Sequence, residues 1–354
     1  MATEFRLVPA RAVTSMIHDA LMAGGLPAAD AAKVAGLMTE ADLTGGDGHG
    51  IFRLQQYFRR LKAGGFNKRP NITVTKSAPA TALVDGDNGM GHLVMSRAAE
   101  TAIELARETG IAWVGARRSN HSGTGGLYAA MPVEHGMIAI YSAVANANHM
   151  AVWGGTDHLI GTNPLTIAVP SGSGTEVLDM ATTVVSYGTI KKYVLQGLEM
   201  PEGWLISSKT GKPLTDPKKS SEALLLPIGG YKGSGLAIML GLLAGVLNGA
   251  AFGKDVVDFN ANDTSETNTG HFIIALDVKR FIPLDAFTAQ VDRHLQDLRD
   301  SQRLPGVDKI RLSGDIRRQC REERVRDGIP IPPALMAQLD KLAAELGIVP
   351  LAQR

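Results

Sequence analysis

The sequence predicts an α/β protein of the α+β type, with helices gathered at the two chain ends and a strand-rich middle. Three observations carry this. Apolar residues recur at helical spacing through residues 10–63. Short apolar runs bounded by Gly, Pro, Asn or Ser fill the region from 137 to 278. Helical patterns then return between residues 284 and 346. Helices at both ends imply that the termini pack together around or beside a central sheet.

In chain order, Pro27 opens a helix over Ala28–Leu43, with Val34, Leu37, Met38 and Ala41 at helical spacing. Ile51, Leu54, Tyr57, Phe58 and Leu61 mark another, ended by Gly64-Gly65. Alternation then shortens to strand spacing in Ile72–Thr75 and Thr81–Asp85. A helix from about His92 to Thr109 leads to the strand Ile111–Ala116, and a helix follows from about Gly126 to His135. Met137–Val144, Leu165–Val169, Glu176–Leu178 and Phe272–Val278 read as strands; Asn260–Asn268 is polar enough for a loop. Leu284–Asp300, Gly314–Arg326 and Pro333–Leu346 read as helices.

A chain of 354 residues has room for two domains, and 44% apolar against 20% charged residues supports a sizeable core. The 36 basic and 35 acidic side chains are interleaved, so no basic run points to nucleic acid. The lone Cys320 excludes an intramolecular disulfide framework and any cysteine-based zinc cluster. No His-x-x-x-His or Glu-x-x-His spacing places ligands on one helical face, so no metal is expected. The N-terminus lacks the apolar core of a signal peptide. Ser234–Gly253 is twenty residues without a charge, the length of a membrane span, with Gly241, Gly245 and Gly249 every four residues. It is solitary, contains Asn248 and follows a turn carrying Lys232, which favours a buried helix of a core or subunit interface.

Two histidines stand out. His49 lies in Asp47-Gly48-His49-Gly50-Ile51-Phe52-Arg53, and His121 in Arg118-Ser119-Asn120-His121-Ser122-Gly123, at a strand end. An imidazole carries a proton near neutral pH, and a guanidinium clamps a carboxylate with two parallel hydrogen bonds. His49 at the N-terminal edge of a helix and Arg53 one turn on share a side. The glycines after His121 (Gly123, Gly125, Gly126) suit close approach of backbone to a ligand. Together these groups suggest redox chemistry at the carbon beside a carboxylate. Gly229-Gly230-Tyr231-Lys232-Gly233-Ser234-Gly235 opens an apolar helix, where free amides and Lys232 attract an anion. Gly86-Asp-Asn-Gly89-Met-Gly91 sits between strand and helix as a dinucleotide-binding turn would. Val94 occupies the third glycine position and no acid ends the next strand, so a plain tight turn is preferred. Gly161-Thr162-Asn163-Pro164 and Leu178-Asp179-Met180-Ala181-Thr182-Thr183 are, alone, a turn and a strand end.

In this order the pieces resemble the type-2 malate/L-lactate dehydrogenase family. They are His-Gly followed by Arg, Asn-His-Ser-Gly, Gly-Thr-Asn-Pro, Asp-Met-Ala-Thr-Thr, Gly-Gly-Tyr-Lys-Gly-Ser-Gly-Leu-Ala, Asn-Thr-Gly-His-Phe and Leu-Pro-Gly. The likeness runs from about residue 10 to 348. It implies a non-Rossmann cofactor domain with a mainly antiparallel or mixed sheet, residues 76–299. It also implies a helical domain built from 1–75 with 300–354, carrying part of the substrate site. By position, His121 is similar to the family's acid/base histidine, His49 to its second active-site histidine and Arg53 to its carboxylate-binding arginine. Gly48 and Thr162 fall at the substrate. Asn146, Asp179, Met180, Ala181, Thr182, Tyr231, Lys232, Pro305 and Gly306 fall at the cofactor, NAD or NADP. Gly48 departs from a common Ser. Thr189 stands where the cyclic-imine reductases of the family carry a relay Asp. The implied activity is hydride transfer between a nicotinamide and C2 of a small 2-hydroxy or 2-oxo acid. The alternative is a reductase of a cyclic imine-2-carboxylate or a sugar-derived diketo acid. A cytoplasmic homodimer or higher homo-oligomer is expected, with a small-molecule substrate and no nucleic-acid or membrane partner. Arg117 and Arg118 are candidates for meeting a 2′-phosphate, or else simply solvated.

Overall fold

The computed structural model describes residues 5–354, save the side chains at 191, 192, 195 and 196. The reading of the extreme N-terminus as lacking a signal core rests largely on residues 1–4, which lie outside the described residues.

The two chain ends meet. Strand β1 (Arg6–Val8) pairs antiparallel with β11 (Ile329–Ile331), Val8 opposite Ile329. Helices α1 (Ala10–Ala23), α2 (Ala28–Leu43) and α3 (Leu54–Ala63) bury Met16, Ile17, Leu21, Val34, Met38, Leu54 and Leu61. Helix α10 (Pro333–Leu346) adds Leu339 and Leu342 to the same apolar cluster. Met90, Leu93 and Phe259, from the middle of the chain, complete it.

The middle forms a seven-stranded sheet of order β2-β3-β4-β10-β5-β6-β7. Its strands are β2 (Thr73–Ala78), β3 (Thr81–Asp85), β4 (Ile111–Ser119), β5 (Met137–Ala143), β6 (Leu165–Ser171), β7 (Gly174–Met180) and β10 (Thr269–Asp277). Only β3 and β4 run parallel, joined by the crossover helix α4 (Gly91–Thr109); every other pairing in the sheet is antiparallel. This is the mixed, mainly antiparallel sheet that the resemblance implies. Alternation explains its core: Ala112, Val114 and Ala116 of β4, and Ile273 and Ala275 of β10, are buried against Val94, Ala98, Ala102 and Ile103 of α4 and packed with Tyr128 of α5 (Gly126–Val133). Short elements escape periodicity: strands β1 and β11, the pair β8 (Leu205–Ser207) and β9 (Ala223–Leu225), and helix α6 (Tyr187–Gln196). Three-residue strands are too short to show a period of two.

The turn between β3 and α4 is closed against its own fold. Asp87 and Asn88 adopt left-handed φ of 47° and 55°. Asn120 Nδ2 donates to Asn88 and Gly89 oxygens. A Cβ on Gly91 would lie 2.1 Å from the Asn120 carbonyl oxygen. These glycines exist so that α4 starts hard against the Asn120-His121 backbone, which bears out the tight turn over the dinucleotide turn.

The apolar stretch Ser234–Gly253 is not one helix. Helix α7 (Tyr231–Ala244) ends at Gly245, and a short 3-10 turn covers Val246–Asn248. By length and composition the run Tyr231–Asn248 passes for a membrane span, with 44% of it buried. The regular helix alone is 14 residues long. At 1.5 Å per residue that is about 21 Å, short of the roughly 30 Å hydrocarbon layer. Gly241 lets Phe252 and Asn163 close on the helix, a Cβ there falling 2.2 Å from the Phe252 ring.

Candidate active site

The segment after α2 turns sharply to present His49. Asp42 is buried at 2% exposure, and its carboxylate accepts the Ile51 N–H at 2.8 Å. A Cβ on Gly50 would lie 1.9 Å from that carboxylate, so only glycine admits the turn. Burial pushes the Asp42 carboxyl up to about 8. From outside, Arg324 of α9 (Asp315–Asp327) binds the Asp47 carboxylate and the Asp42 carbonyl.

Three imidazoles and a phenol meet here. The His49 and His121 rings stack with centroids 5.3 Å apart and planes 11° from parallel. Tyr57 of α3 bonds its hydroxyl to His121 Nδ1 at 2.5 Å. His92, at the first turn of α4, is fully buried and edge-on to Tyr57 at 5.5 Å. Among the described residues, neither His92 nitrogen nor His49 Nδ1 has a hydrogen-bond partner. Phe259 stacks on the far face of His121 at 5.5 Å.

Arg53 lies at the edge of this cluster. Its Nε donates to Gly48 O at 2.9 Å, and Nη1 to Gln56 Oε1 at 2.7 Å and Asn260 Oδ1 at 3.2 Å. Gln56 Nε2 in turn donates to the Phe259 carbonyl at 3.0 Å. All of these acceptors are uncharged; Arg53 has no carboxylate partner among the described residues. A half-buried guanidinium without a counter-ion is costly, and its desolvation lowers its proton affinity. It also acts on its neighbours. Burial first, then Arg53, lowers His49 to about 4 and holds His121 well below its ordinary value. Burial and His49 take His92 to about 3. The site is therefore a fixed cation facing uncharged imidazoles.

A second group of sequence-predicted residues assembles around the end of β7. Thr182 N and Oγ1 both donate to Thr162 O at 3.0 Å, and Ile228 N donates to Thr182 O at 2.9 Å. Thr162, Ala181-Thr182 and the turn before α7 thus lie side by side. Gly229 and Gly230 take φ of 57° and 64°, and Tyr231 and Lys232 stand exposed at the helix start. No partner holds Lys232 among the described residues. Met180 ends β7 opposite Leu165. The Asp179 carboxylate turns back into the protein, accepting Gly126 N–H and Thr166 Oγ1–H, each at 2.8 Å.

Asn146 joins the two groups. Its Nδ2 donates to Thr269 Oγ1, which bonds Thr267 Oγ1, which donates to Asn120 Oδ1 beside His121. Next to it, Ala145 N donates to Asn163 Oδ1 at 3.0 Å, beside Thr162. Pro305 and Gly306 are not brought in: they occupy an exposed turn between α8 (Leu284–Arg299) and α9.

Two sequence-based reasons change. The glycines after His121 serve packing as well as access, since a Cβ on Gly125 would meet Thr166 Oγ1 at 2.2 Å and the Tyr141 ring at 2.5 Å. Arg117 and Arg118 are engaged rather than merely solvated: Arg117 pairs with Asp85 at 3.1 Å, and Arg118 with Asp85 and Asp87 at 3.2 Å. Sequence reasoning missed Tyr57, which it placed on an apolar helix face, His92, which it named only as a helix start, and Gln56 and Asn260, ordinary polar residues 204 positions apart. His92 carried one usable signal, an imidazole on the buried face of a helix start.

The buried imidazoles predict a pH dependence of stability. In the unfolded chain they bind protons near the ordinary 6.5, while in the folded protein His49 waits until about 4, and His92 and His271 until about 3. Stability is therefore present above about pH 6.5 and lost as pH falls toward about 4, by up to about 1.4 kcal/mol per pH unit for each imidazole. Asp42 acts in the opposite sense: its carboxyl keeps a proton up to about 8 that the unfolded chain releases near 3.8. It offsets one imidazole in the acid range and makes stability decline again toward about 8. Thermal unfolding followed across this range should show a maximum near neutral pH; a melting temperature that does not fall in acid would contradict the burial of these rings.

The chain matches the sequence profile of the family described as malate/L-lactate dehydrogenase over residues 8–340. It is 35% identical over 348 residues to the malate dehydrogenase of Pyrococcus abyssi, covering 96% of this chain and 95% of that one. It is 31% identical over 319 residues to the ureidoglycolate dehydrogenase (NAD(+)) of Escherichia coli K12, covering 89% and 90%. Identity is 30% over 336 residues to the (2R)-3-sulfolactate dehydrogenase (NADP(+)) of Chromohalobacter salexigens, covering 94% and 97%. Among solved structures, the sulfolactate dehydrogenase of Methanocaldococcus jannaschii superposes with a TM-score of 0.90 at 34% identity, covering 98% and 99%. The delta1-piperideine-2-carboxylate reductase of Pseudomonas syringae gives 0.82 at 26% identity, covering 96% and 100%.

Proposed function

The chain belongs to the malate/L-lactate dehydrogenase family and is an oxidoreductase that uses NAD or NADP on the CH–OH group of a hydroxy acid; on that premise we propose that it interconverts a small malate- or lactate-like 2-hydroxy acid and its 2-oxo acid, with the chemistry at His121, His49 and Arg53. The observation that carries the assignment of roles is Arg53: a half-buried guanidinium bonded only to neutral acceptors, beside two stacked uncharged imidazoles. A substrate carboxylate supplies the missing anion on Nη2 and so aims C2. Gly48 and Thr162 border the substrate.

The strand end Asp179, Met180, Ala181 and Thr182, with Asn146, Tyr231 and Lys232, would hold the cofactor; the exposed, unpaired Lys232 at a helix N-terminus suits a phosphate. Pro305 and Gly306 would join from their exposed turn. The cofactor, when bound, supplies and recovers the hydride. The protein handles the proton. Tyr57 engages His121 Nδ1; in the tautomer that donates Nδ1–H to the phenol oxygen, Nε2 is left to take the hydroxyl proton in oxidation and return it in reduction. His49, stacked on the same ring, is its helper or alternate.

The cyclic-imine reading has less support. Thr189, at the expected relay position, is bonded through its N–H and hydroxyl to Ser186 Oγ as a helix cap. Absorbance of NADH and NADPH, followed separately with 2-oxo acids, a sugar-derived diketo acid and a cyclic imine-2-carboxylate, tests the assignment. Turnover of the imine or diketo acid alone would overturn it.

The homodimer remains part of this reading. Met239 at 56%, Val246 at 57% and Leu247 at 62% exposure leave an apolar face along α7 and the following turn, which a second copy would cover. Sedimentation showing only monomer at assay concentration would remove it. Cytoplasmic location is proposed with the enzyme class; activity confined to the membrane fraction would refute it. The division into an end-built helical domain (1–75 with 300–354) and a central domain (76–299) is likewise our reading of the two apolar clusters.

A further inference from the structure

We propose that docking of a 2-oxo acid on Arg53 draws one proton from solvent into the His49–His92–His121 set, so that substrate binding and loading of the acid catalyst are a single event. This rests on the reading that Arg53 receives the substrate carboxylate.

The argument begins with what faces the three rings. Arg53 comes from the 3-10 turn Ile51–Arg53 and Tyr57 from α3. His271 of β10 is engaged at both nitrogens, by Tyr141 and Ser119 hydroxyls at 3.1 Å. Tyr128 and Tyr141 are bonded to Ser122, next to His121. Arg60 is turned away onto the carbonyls of residues 65, 262 and 265. The carboxylates of Asp42 and Asp179 are engaged elsewhere: Asp42 by Ile51 N–H, Asp179 by Gly126 and Thr166. Among the described residues no carboxylate bonds any of the three imidazoles. The one fixed charge at the set is therefore Arg53, and it is positive.

His92 gives the cluster its unusual character. A fully buried imidazole with both nitrogens unpartnered is expensive, and an apolar ring would fill the same space beside Tyr57 and Gly123 at less cost. His92 is coupled to His49 and His121 through charge, with no hydrogen bond to either ring among the described residues, so a proton on any one ring opposes a second on the others. Each of the three is held uncharged by burial first; Arg53 adds to this at His49 and His121, and protonation of His49 would oppose that of His92.

A carboxylate on Arg53 changes two things in the same sense. Burial, the larger cause, stays; the carboxylate cancels the Arg53 field that adds to it at His49 and His121, and it places a negative charge beside His121. Only one proton enters, because two imidazolium ions 5.3 Å apart in a buried site repel. The balance closes. Reduction consumes a 2-oxo acid, a hydride and one proton; that proton leaves His121 Nε2 for the substrate oxygen, and the set is empty again when the hydroxy acid departs. A hydroxy acid brings the same carboxylate, but its hydroxyl donates to His121 Nε2, which holds that ring unprotonated and opposes uptake. Affinity for the 2-oxo acid should accordingly fall with rising pH, while that for the hydroxy acid does not.

The test is calorimetric. Protein saturated with NADH or NADPH is titrated near neutral pH with oxamate, an unreactive analogue of a 2-oxo acid, in two buffers of different ionisation heat. The expected difference corresponds to about one proton taken up per site. In His121→Gln the uptake falls at least about twofold. Oxamate binding without proton exchange from about pH 6 to about pH 9 would overturn the proposal, and so would undiminished uptake in His121→Gln. Failure of oxamate to bind at all would instead refute the assignment of Arg53, and this inference with it.

Discussion

Replacing His121 with glutamine is expected to lower kcat between about a hundredfold and about ten-thousandfold, the range that positioned acid–base groups supply. Glutamine preserves a hydrogen bond to Tyr57 but cannot exchange a proton at neutral pH. The effect belongs in kcat because the ring acts on the oxygen at C2 as charge develops there, not on the cofactor. Affinity for NADH or NADPH should stay within about twofold of wild type, since binding energy realised only in the transition state leaves ground-state binding alone. His49→Gln is the companion variant. Near-wild-type turnover in both would show that the stacked pair at 5.3 Å is structural.

Arg53→Lys is expected to raise KM for the acid by roughly tenfold to a hundredfold, the worth of a charge-assisted bond of about 1.5–3 kcal/mol. The guanidinium is oriented by Nε on Gly48 O and Nη1 on Gln56 and Asn260, which leaves Nη2 as the arm toward a ligand. An ammonium has neither the fork nor the reach to keep those three bonds while offering a fourth. Gln56→Leu should reproduce part of the loss by letting the guanidinium swing. An unchanged KM in Arg53→Lys would mean that the carboxylate is held elsewhere.

The long helices and the sheet strands were legible in the sequence because amphipathic spacing survives wherever one face is buried. Ala28–Leu43 and Pro333–Leu346 begin and end where capping and periodicity put them. β8, β9 and the β1–β11 pair were not legible: three residues cannot display a period. The site divides in the same way. His49, Arg53 and His121 carry chemical signatures in their own neighbourhoods, and folding brings them together. Tyr57 and His92 hide inside apolar faces, where an aromatic or an imidazole reads as filling. Gln56 and Asn260 have meaning only once the loop after Phe259 lies over α3, a contact between segments far apart in sequence. Arg117 and Arg118 show the converse. Their charges suggest a ligand until Asp85 and Asp87 are found beside them.

The central claim is geometric: a guanidinium lacking a counter-ion and a stacked imidazole pair converge on one small carboxylic acid. A crystal structure of the protein with NADH or NADPH and oxamate tests it most directly. The account predicts the oxamate carboxylate on Arg53 Nη2 and its carbonyl oxygen within about 3 Å of His121 Nε2. Oxamate bound beside the cofactor but out of reach of Arg53 and His121 would contradict it.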